Sequence, residues 1–96
     1  MKQKVTAIVR SSKEIAAGIM DLWLETELAK EAKPGQFVAV YTKDASKLLP
    51  RPISICRVDR EKPALRLVYR IAGAGTKEFS TYRSGDEVEI LGILGI

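Results

Sequence analysis

Apolar and polar residues alternate in short runs along most of this chain. Alternate positions are apolar from Val5 onward within residues 2–11, and again within residues 20–25, where Trp23 falls among the polar positions. A repeat of two residues is the pattern of a strand that buries one face. We therefore predict strand one over 2–11 and strand two over 20–25, with Trp23 facing solvent.

Four more strands are predicted further along the chain. Pro34 and Gly35 favour a turn, because proline fixes φ and glycine accepts unusual backbone angles. Residues 42–50 contain several charges and end in proline, which predicts a loop. Alternation and apolar runs predict strand three over 36–41, strand four over 53–59, strand five over 65–71 and strand six over 86–91, with the turn 60–63 joining four and five as a hairpin.

The alternation breaks after strand five, where a helix is predicted over 77–83. Phe79 and Tyr82 lie three positions apart, which places them on one helix face, and Gly85 provides a stop. We predict no other helix. Six short strands with one short helix between strands five and six predict an all-β fold, a closed six-stranded antiparallel barrel.

Composition excludes several classes of function. The chain has 96 residues, 46% of them apolar, which predicts a single domain over 1–96. It has no histidine, so catalytic triads and histidine metal sites are excluded. The one cysteine, Cys56, cannot by itself form a disulfide, a four-cysteine zinc site or an iron–sulfur cluster. We expect a cytoplasmic chain without a metal site, in which Cys56 is a small buried hydrophobic residue.

The charge favours anionic partners without identifying one. Sixteen Lys and Arg stand against twelve Asp and Glu, for a net charge of +4. No apolar run approaches the length of about 18 residues that a membrane-spanning helix needs, and the apolar run near the start is too short for a signal peptide. We therefore expect no membrane span and no secretion by this route.

Three segments have the residues for ligand chemistry, and the first surrounds Arg51. Pro50 and Pro52 stiffen the backbone and hold Arg51 extended. A guanidinium is a planar fork that suits two phosphate oxygens, and we expect Ser54 on the same face, where its hydroxyl could bond a cofactor ring. The alternative is an ordinary loop arginine with a serine on the solvent side.

The second segment contains Gly73, Gly75 and Thr76, just before the predicted helix. Glycines let backbone amides converge, and a helix start adds partial positive charge, which is a favourable geometry for an anion. The alternative is a common glycine connection in which Thr76 is an ordinary N-cap. A dinucleotide fingerprint of the parallel-sheet type is excluded, because its third glycine is missing.

The third segment is Val68, Tyr69 and Arg70, at the end of strand five. Here an aromatic side chain, whose face suits a flat ring, stands next to a basic residue. The alternative is that Tyr69 continues the apolar face of strand five into the barrel core.

Taken together, these segments resemble the flavin domain of the ferredoxin reductase superfamily. The resemblance rests on five motifs in order: Gln36-Phe37-Val38, Arg51-Pro52-Ile53-Ser54, Leu67-Val68-Tyr69-Arg70, Gly73-Ala74-Gly75-Thr76 and Leu91-Gly92. Many relatives carry tyrosine in place of Ile53, but the dihydroorotate dehydrogenase branch, the electron-transfer subunit of the NAD-dependent enzyme, is similar to this sequence.

The resemblance implies a Greek-key barrel that binds FAD. It implies a flavin site lined by Arg51, Pro52, Ile53, Ser54, Val68, Tyr69, Arg70, Gly75 and Thr76, with no catalytic side chain of its own. The resemblance further implies that the complete electron-transfer subunit passes electrons between NAD and a dihydroorotate-oxidising catalytic subunit in pyrimidine biosynthesis. The redox chemistry is that of the flavin.

Two departures from the family limit what we expect of these residues alone. The family continues into a nucleotide-binding domain and a cysteine-rich segment with a [2Fe-2S] cluster, which a chain ending at Ile96 would not contain. In place of an ending like Leu-Gly-Pro-Leu-Gly-Asn, the chain reads Leu-Gly-Ile-Leu-Gly-Ile over 91–96. We therefore expect a truncated barrel with an altered end, weak flavin binding and no turnover.

Two rival functions remain open from the sequence. One is a small basic barrel that binds oligonucleotides, although no strand carries two aromatic residues interleaved with Lys or Arg. The other is an inert scaffold that fails to bind flavin. We expect no nucleic acid and no membrane as partners.

Self-association is expected from two apolar features. Trp23 stands on the face that alternation assigns to solvent, and Ile93, Leu94 and Ile96 follow a sixth strand whose edge we expect to be open. These features predict a homodimer or a swapped assembly. The alternative is a monomer in which Trp23 lies over the stem of a basic side chain and the tail closes the barrel.

Overall fold

In the computed structural model, which describes residues 2–43 and 49–95, the strands close into a six-stranded antiparallel barrel. The strands are β1 (Gln3–Ala16), β2 (Ile19–Glu25), β3 (Phe37–Val40), β4 (Arg51–Asp59), β5 (Ala64–Arg70) and β6 (Glu87–Leu94). Helix α1 (Ala74–Phe79) lies between β5 and β6. The order around the barrel is β1-β2-β5-β4-β3-β6, so the predicted fold is confirmed.

The barrel interior is filled by alternate apolar residues of the strands. Fully buried side chains include Leu22, Leu24, Leu65, Leu67 and Ile90. Phe79 of α1 is also fully buried and packs with them. Burying one such side chain contributes about 1.5 to 3 kcal/mol. Because a one-residue slip in register would turn all these side chains to solvent, the alternation of apolar residues specifies how the strands pair.

Strand β1 is longer than alternation predicts. It runs on to Ala16 as a hairpin with β2, and Gly18 takes a φ of 73° in the turn. The Glu14 carboxylate accepts a hydrogen bond of 2.8 Å from the Gly18 N–H. Residues 13–17 are exposed, so they carry no apolar alternation that could predict this extension.

A 3₁₀ helix over Glu27–Lys30 was not predicted. The Thr26 side chain caps it by accepting a hydrogen bond from the Leu28 N–H at 3.2 Å, and Leu28 and Ala29 are buried. Four residues make little more than one turn, which is too short to give a helical period. The prediction of a single helix is therefore wrong in this detail.

A bulge in β4 leaves two successive residues, Cys56 and Arg57, exposed. Ile55 pairs with Leu67, but the next pair is Arg57 with Arg66, so Cys56 is the extra residue. Cys56 is exposed, and the prediction that it is buried is wrong. The inward positions at this point belong to Ile53 and Ile55, so alternation turns the thiol outward.

Neither apolar feature behind the predicted association has the predicted form. Trp23 is half-buried, with the Arg10 guanidinium carbon 5.7 Å from its ring centroid. Strand β6 pairs with β1 from Glu87 to Gly92 and with β3 between Ile90 and Leu94, so it lies inside the closed sheet rather than at an open edge. Ile96 and residues 44–48 of the predicted loop lie outside the described residues. In the part of the chain that the structure describes, no helix is long and apolar enough to cross a membrane.

Candidate functional site

The barrel wall is split where β4 begins and β5 ends. The two strands pair from Asp59 to Ile55, which lies opposite Leu67, and their ladder ends there. Beyond this point β4 pairs with β3 as far as Arg51, and β5 pairs with β2 as far as Arg70. Two of the three predicted segments, 51–54 and 68–70, therefore border one gap.

The β4 side of this gap carries the predicted arginine and serine. Arg51, Pro52 and Ser54 are exposed, whereas Ile53 is only 6% exposed and packs in the core. The buried Ile53 anchors the segment, and Pro52 favours the extended backbone that the structure has at Arg51. Arg51 and Ser54 lie three residues apart in a regular part of the strand, so they fall on opposite faces, and the prediction that they share a face is wrong.

The Arg51 side chain lies directly against Gly75 of α1. A Cβ placed on Gly75 would be 3.2 Å from Arg51 Cγ and 3.5 Å from its Cδ. A glycine thus leaves room for the arginine stem to cross the helix. The fold brings together the first and second predicted segments, which the sequence alone could not show.

The start of α1 is fixed by the Thr76 hydroxyl. This oxygen accepts a hydrogen bond of 2.7 Å from the Ala72 N–H and donates one of 3.3 Å to the Gly73 carbonyl. The helix begins at Ala74 after Gly73, whose φ is 98°, so Thr76 lies inside the first turn. The reading of Thr76 as an N-cap is therefore wrong. The predicted helix bounds 77–83 are also wrong, because the helical turns run from Ala74 to Phe79.

Tyr69 borders the gap from inside the barrel. It is 7% exposed, and its hydroxyl has no hydrogen-bond partner among the described residues. Burial raises the pKa of Tyr69 to about 12, so at neutral pH the hydroxyl keeps its proton. Its ring continues the buried face of β5, while the orphaned donor gives the same residue a capacity to bind a ligand.

The other two residues of the third segment face away from the core. Val68 is half-buried opposite Asp21 of β2, and Arg70 is exposed at the end of β5. Arg70 and Arg51 thus place a cation on each strand that borders the gap. Such an arrangement suits an anionic ligand.

Glu78 of α1 forms contacts that sequence reasoning missed. One carboxylate oxygen, Oε2, accepts a hydrogen bond of 2.8 Å from the Lys43 N–H and a second bond from the Tyr82 hydroxyl. Burial, followed by this carboxylate, raises the pKa of Tyr82. Lys43 and Glu78 are distant in sequence and show no periodic relation, so no local pattern could have predicted the contact.

Two cavities lie away from the gap. One of about 310 Å³ is lined by Lys4, Thr6, Tyr41, Thr42, Lys43, Glu87, Val88 and Glu89. Another of about 480 Å³ is lined by Thr6, Arg10, Glu25, Thr26, Glu27, Lys62 and Pro63. Both mix acidic and basic side chains, and neither includes a residue of the predicted site.

The residues around the gap fit a flavin nucleotide. A flavin ring needs a flat apolar neighbour and hydrogen-bonding groups, and a pyrophosphate needs cations or amide donors. Tyr69 supplies a buried hydroxyl that has no partner among the described residues, Arg51 and Arg70 supply charge, and Gly75 leaves room for the Arg51 stem to pass.

Similar curated proteins are electron-transfer subunits. The chain is 45% identical over 95 residues to the dihydroorotate dehydrogenase B (NAD(+)) electron transfer subunit of Enterococcus faecalis, covering 98% of this chain and 36% of that protein. The corresponding subunit of Bacillus cereus is 44% identical over 97 residues, covering 99% of this chain and 38% of that protein. These matches confirm the predicted resemblance, and the chain spans little more than a third of the length of these relatives.

Solved structures share the barrel. An NADH-dependent reduced ferredoxin-NADP oxidoreductase matches with a TM-score of 0.85 and 28% identity, covering 94% of this chain and 33% of that one. The Amycolatopsis cytochrome P450 reductase GcoB matches with a TM-score of 0.78 and 26% identity, covering 99% of this chain and 29% of that one. No protein-family model matches the chain.

Proposed function

We propose that this chain, which is similar to dihydroorotate dehydrogenase B electron transfer subunits over nearly its whole length, is a flavin-binding barrel of such a subunit. The observation that carries the proposal is the gap between β4 and β5. The segments that border it belong to two of the five motifs on which the sequence resemblance rests, and the gap is flanked by Arg51 and Arg70.

The ligand is FAD, and each predicted residue has a role in holding it. Arg51 neutralises the pyrophosphate, Arg70 positions a phosphate, and the backbone N–H groups of Gly75 and Thr76 donate to phosphate oxygens. These two residues lie in the first turn of α1, where N–H groups have no acceptor within the helix. The Thr76 hydroxyl takes no part, because Ala72 and Gly73 already occupy it.

The flavin ring lies in the gap itself. Ser54 donates its hydroxyl to the ring from the exposed face of β4, and the Tyr69 hydroxyl donates from the barrel interior. Pro52, Ile53 and Val68 line the walls. When bound, FAD supplies hydride and single-electron chemistry, and the chain contributes binding and orientation.

In the whole subunit, this barrel serves electron transfer between NAD and a dihydroorotate-oxidising catalytic subunit in pyrimidine biosynthesis. The names of the curated relatives support that role. The nucleotide-binding domain and the [2Fe-2S] cluster belong to other segments of such a subunit. An oligonucleotide-binding barrel is not favoured, because neither these relatives nor the solved structures described above point to it.

Titration with FAD tests the proposal. We expect quenching of flavin fluorescence with a micromolar or weaker Kd, equivalent to about −8 kcal/mol or less favourable, because these residues form only one wall of the site. Single-stranded DNA is the competing ligand. Saturable quenching that DNA leaves unchanged supports flavin binding, whereas displacement by DNA, or no quenching, contradicts it. A protein that stays yellow through extensive dialysis contradicts weak binding.

The homodimer or swapped assembly is proposed separately. Leu49 and Ile15 are the large apolar residues that stay exposed among those described, at 82% and 47%, and an assembly should bury them. Light scattering at high micromolar concentration, on this chain and on the Leu49→Ser variant, measures the mass. A monomeric mass for all 96 residues contradicts association.

A further inference from the structure

A single carboxylate oxygen joins the chain leaving β3 to helix α1. The Lys43 N–H donates to Glu78 Oε2 at 2.8 Å, and the Tyr82 hydroxyl donates to the same oxygen. The Lys43 ammonium also lies 5.2 Å from the Tyr82 ring centroid. These contacts fix the C-terminal part of α1 against the exit of β3.

The same helix forms the wall against which Arg51 lies. Gly75 precedes Glu78 by three residues, so both occupy one side of α1. The ideal Cβ position of Gly75 is 3.2 Å from Arg51 Cγ and 3.9 Å from the methyl group of Thr42. Thr42 is buried and directly precedes Lys43. A shift of α1 away from Lys43 would therefore open the contact that defines where the arginine stem runs.

We propose that Glu78 is a positioning residue for Arg51: it holds α1 at the exit of β3, so that the guanidinium is presented to the phosphates of a flavin nucleotide. The assignment rests on the proposed function, since it gives Arg51 a phosphate ligand. Glu78 itself does not touch the ligand.

For this role, residue 78 needs an oxygen that accepts hydrogen bonds, and it does not need a negative charge. Both hydrogen bonds end on Oε2, so one amide oxygen of glutamine can accept both. A negative charge on the same short helix as Gly75 opposes phosphate binding there. Glu78→Gln therefore preserves the position of α1 and relieves this repulsion, whereas Glu78→Ala loses the link.

The binding experiment compares FAD with riboflavin, which lacks phosphates. We expect Glu78→Ala to raise the Kd for FAD about tenfold and to change that for riboflavin by less than about twofold, since only phosphate contacts depend on Arg51. Glu78→Gln should bind FAD at least as tightly as the wild type. Glu31→Ala, which removes an exposed carboxylate at the end of the 3₁₀ helix, is the control. Equal losses of FAD and riboflavin in Glu78→Ala indicate a merely structural residue and overturn the proposal.

A measurement without flavin tests separately whether Glu78 positions Arg51 and Gly75. In ¹⁵N NMR spectra of the free protein, Glu78→Ala should shift the Gly75 amide and Arg51 Nε resonances, and Glu78→Gln and Glu31→Ala should leave them in place. Unchanged Gly75 and Arg51 resonances in Glu78→Ala overturn the proposal, whatever the flavin result. If the wild type binds no FAD while these resonances do shift, the positioning of Arg51 by Glu78 stands and the flavin site fails.

Discussion

The rings of Tyr69 and Phe79 meet edge to face, with centroids 6.3 Å apart and planes at 84°. Phe79 in turn lies 5.9 Å from the Tyr82 ring. The Tyr69 ring is therefore held by packing between β5 and α1 rather than by its hydroxyl, which has no partner among the described residues. The hydroxyl can be removed without disturbing the ring.

Tyr69→Phe should change stability and flavin binding in opposite directions. Removing a buried unpaired hydroxyl stabilises the free protein by on the order of 1 kcal/mol, because its desolvation is no longer uncompensated. The same change removes a donor to flavin and should raise the Kd for FAD about three- to tenfold. Thermal unfolding and FAD titration measure the two effects. Tyr41→Phe, outside the gap, is the control, and a variant that lowers both Tm and FAD binding refutes the assignment.

Arg51→Ala should weaken FAD binding strongly. A charge-assisted hydrogen bond to phosphate contributes about 1.5 to 3 kcal/mol, which is about a 10- to 150-fold rise in Kd. Arg57→Ala is the matched control, because Arg57 is also exposed and also belongs to β4. Equal losses in the Arg51 and Arg57 variants would exclude a special role for Arg51.

Gly75→Ala should separate helix stability from ligand binding. Alanine in place of glycine favours a helix by about 0.5 to 1 kcal/mol. The new methyl group would stand 3.2 Å from Arg51 Cγ, so the arginine stem must move aside. We expect an unchanged or higher Tm together with weaker FAD binding, measured by calorimetry and titration. An alanine variant that binds FAD like the wild type would show that the stem can shift without cost.

The fold was predictable because the sheet buries one face almost everywhere. Alternation in β2 and β5 marks the same inward positions that the structure buries, among them Leu22, Leu24, Leu65 and Leu67. Alternation does not report how well an outward residue is covered. Asp21 faces outward yet is 5% exposed, because Arg66 binds both of its carboxylate oxygens at 3.0 and 3.1 Å.

The sequence indicates which segments belong to the candidate site, but not how those segments are arranged in space. Pro52 is a local signal of extended backbone and Gly75 of a close approach, and motif order supplied the resemblance. The approach of Arg51 to Gly75 depends instead on where the β4–β5 ladder ends, which is set by the bulge at Cys56 and by pairing with β3 and β2. Such long-range register has no signature in a single segment.

Stability should fall at acidic pH through Asp59. The Lys62 N–H, and after it the Arg10 guanidinium, lowers the pKa of Asp59 below its ordinary value of 3.8, because both bond the charged carboxylate. A carboxylate whose pKa is lower in the folded than in the unfolded state stabilises the fold fully above the unfolded pKa of about 3.9. That stabilisation is lost as the pH falls through the folded pKa.

Asp59→Asn should therefore be less stable than the wild type at pH 6. The difference should shrink as both are acidified below about pH 4, where the wild-type carboxylate becomes neutral first in the unfolded and then in the folded state. Urea midpoints measured from pH 6 down to pH 2.5 follow this convergence. Glu87→Gln, at an exposed carboxylate of β6, is the control. A difference in urea midpoint between wild type and Asp59→Asn that stays constant across the whole pH range would contradict this prediction. It would mean that Asp59 acts through its shape and hydrogen bonds rather than its charge, and that the Arg10 contact does not stabilise the folded state as an ion pair.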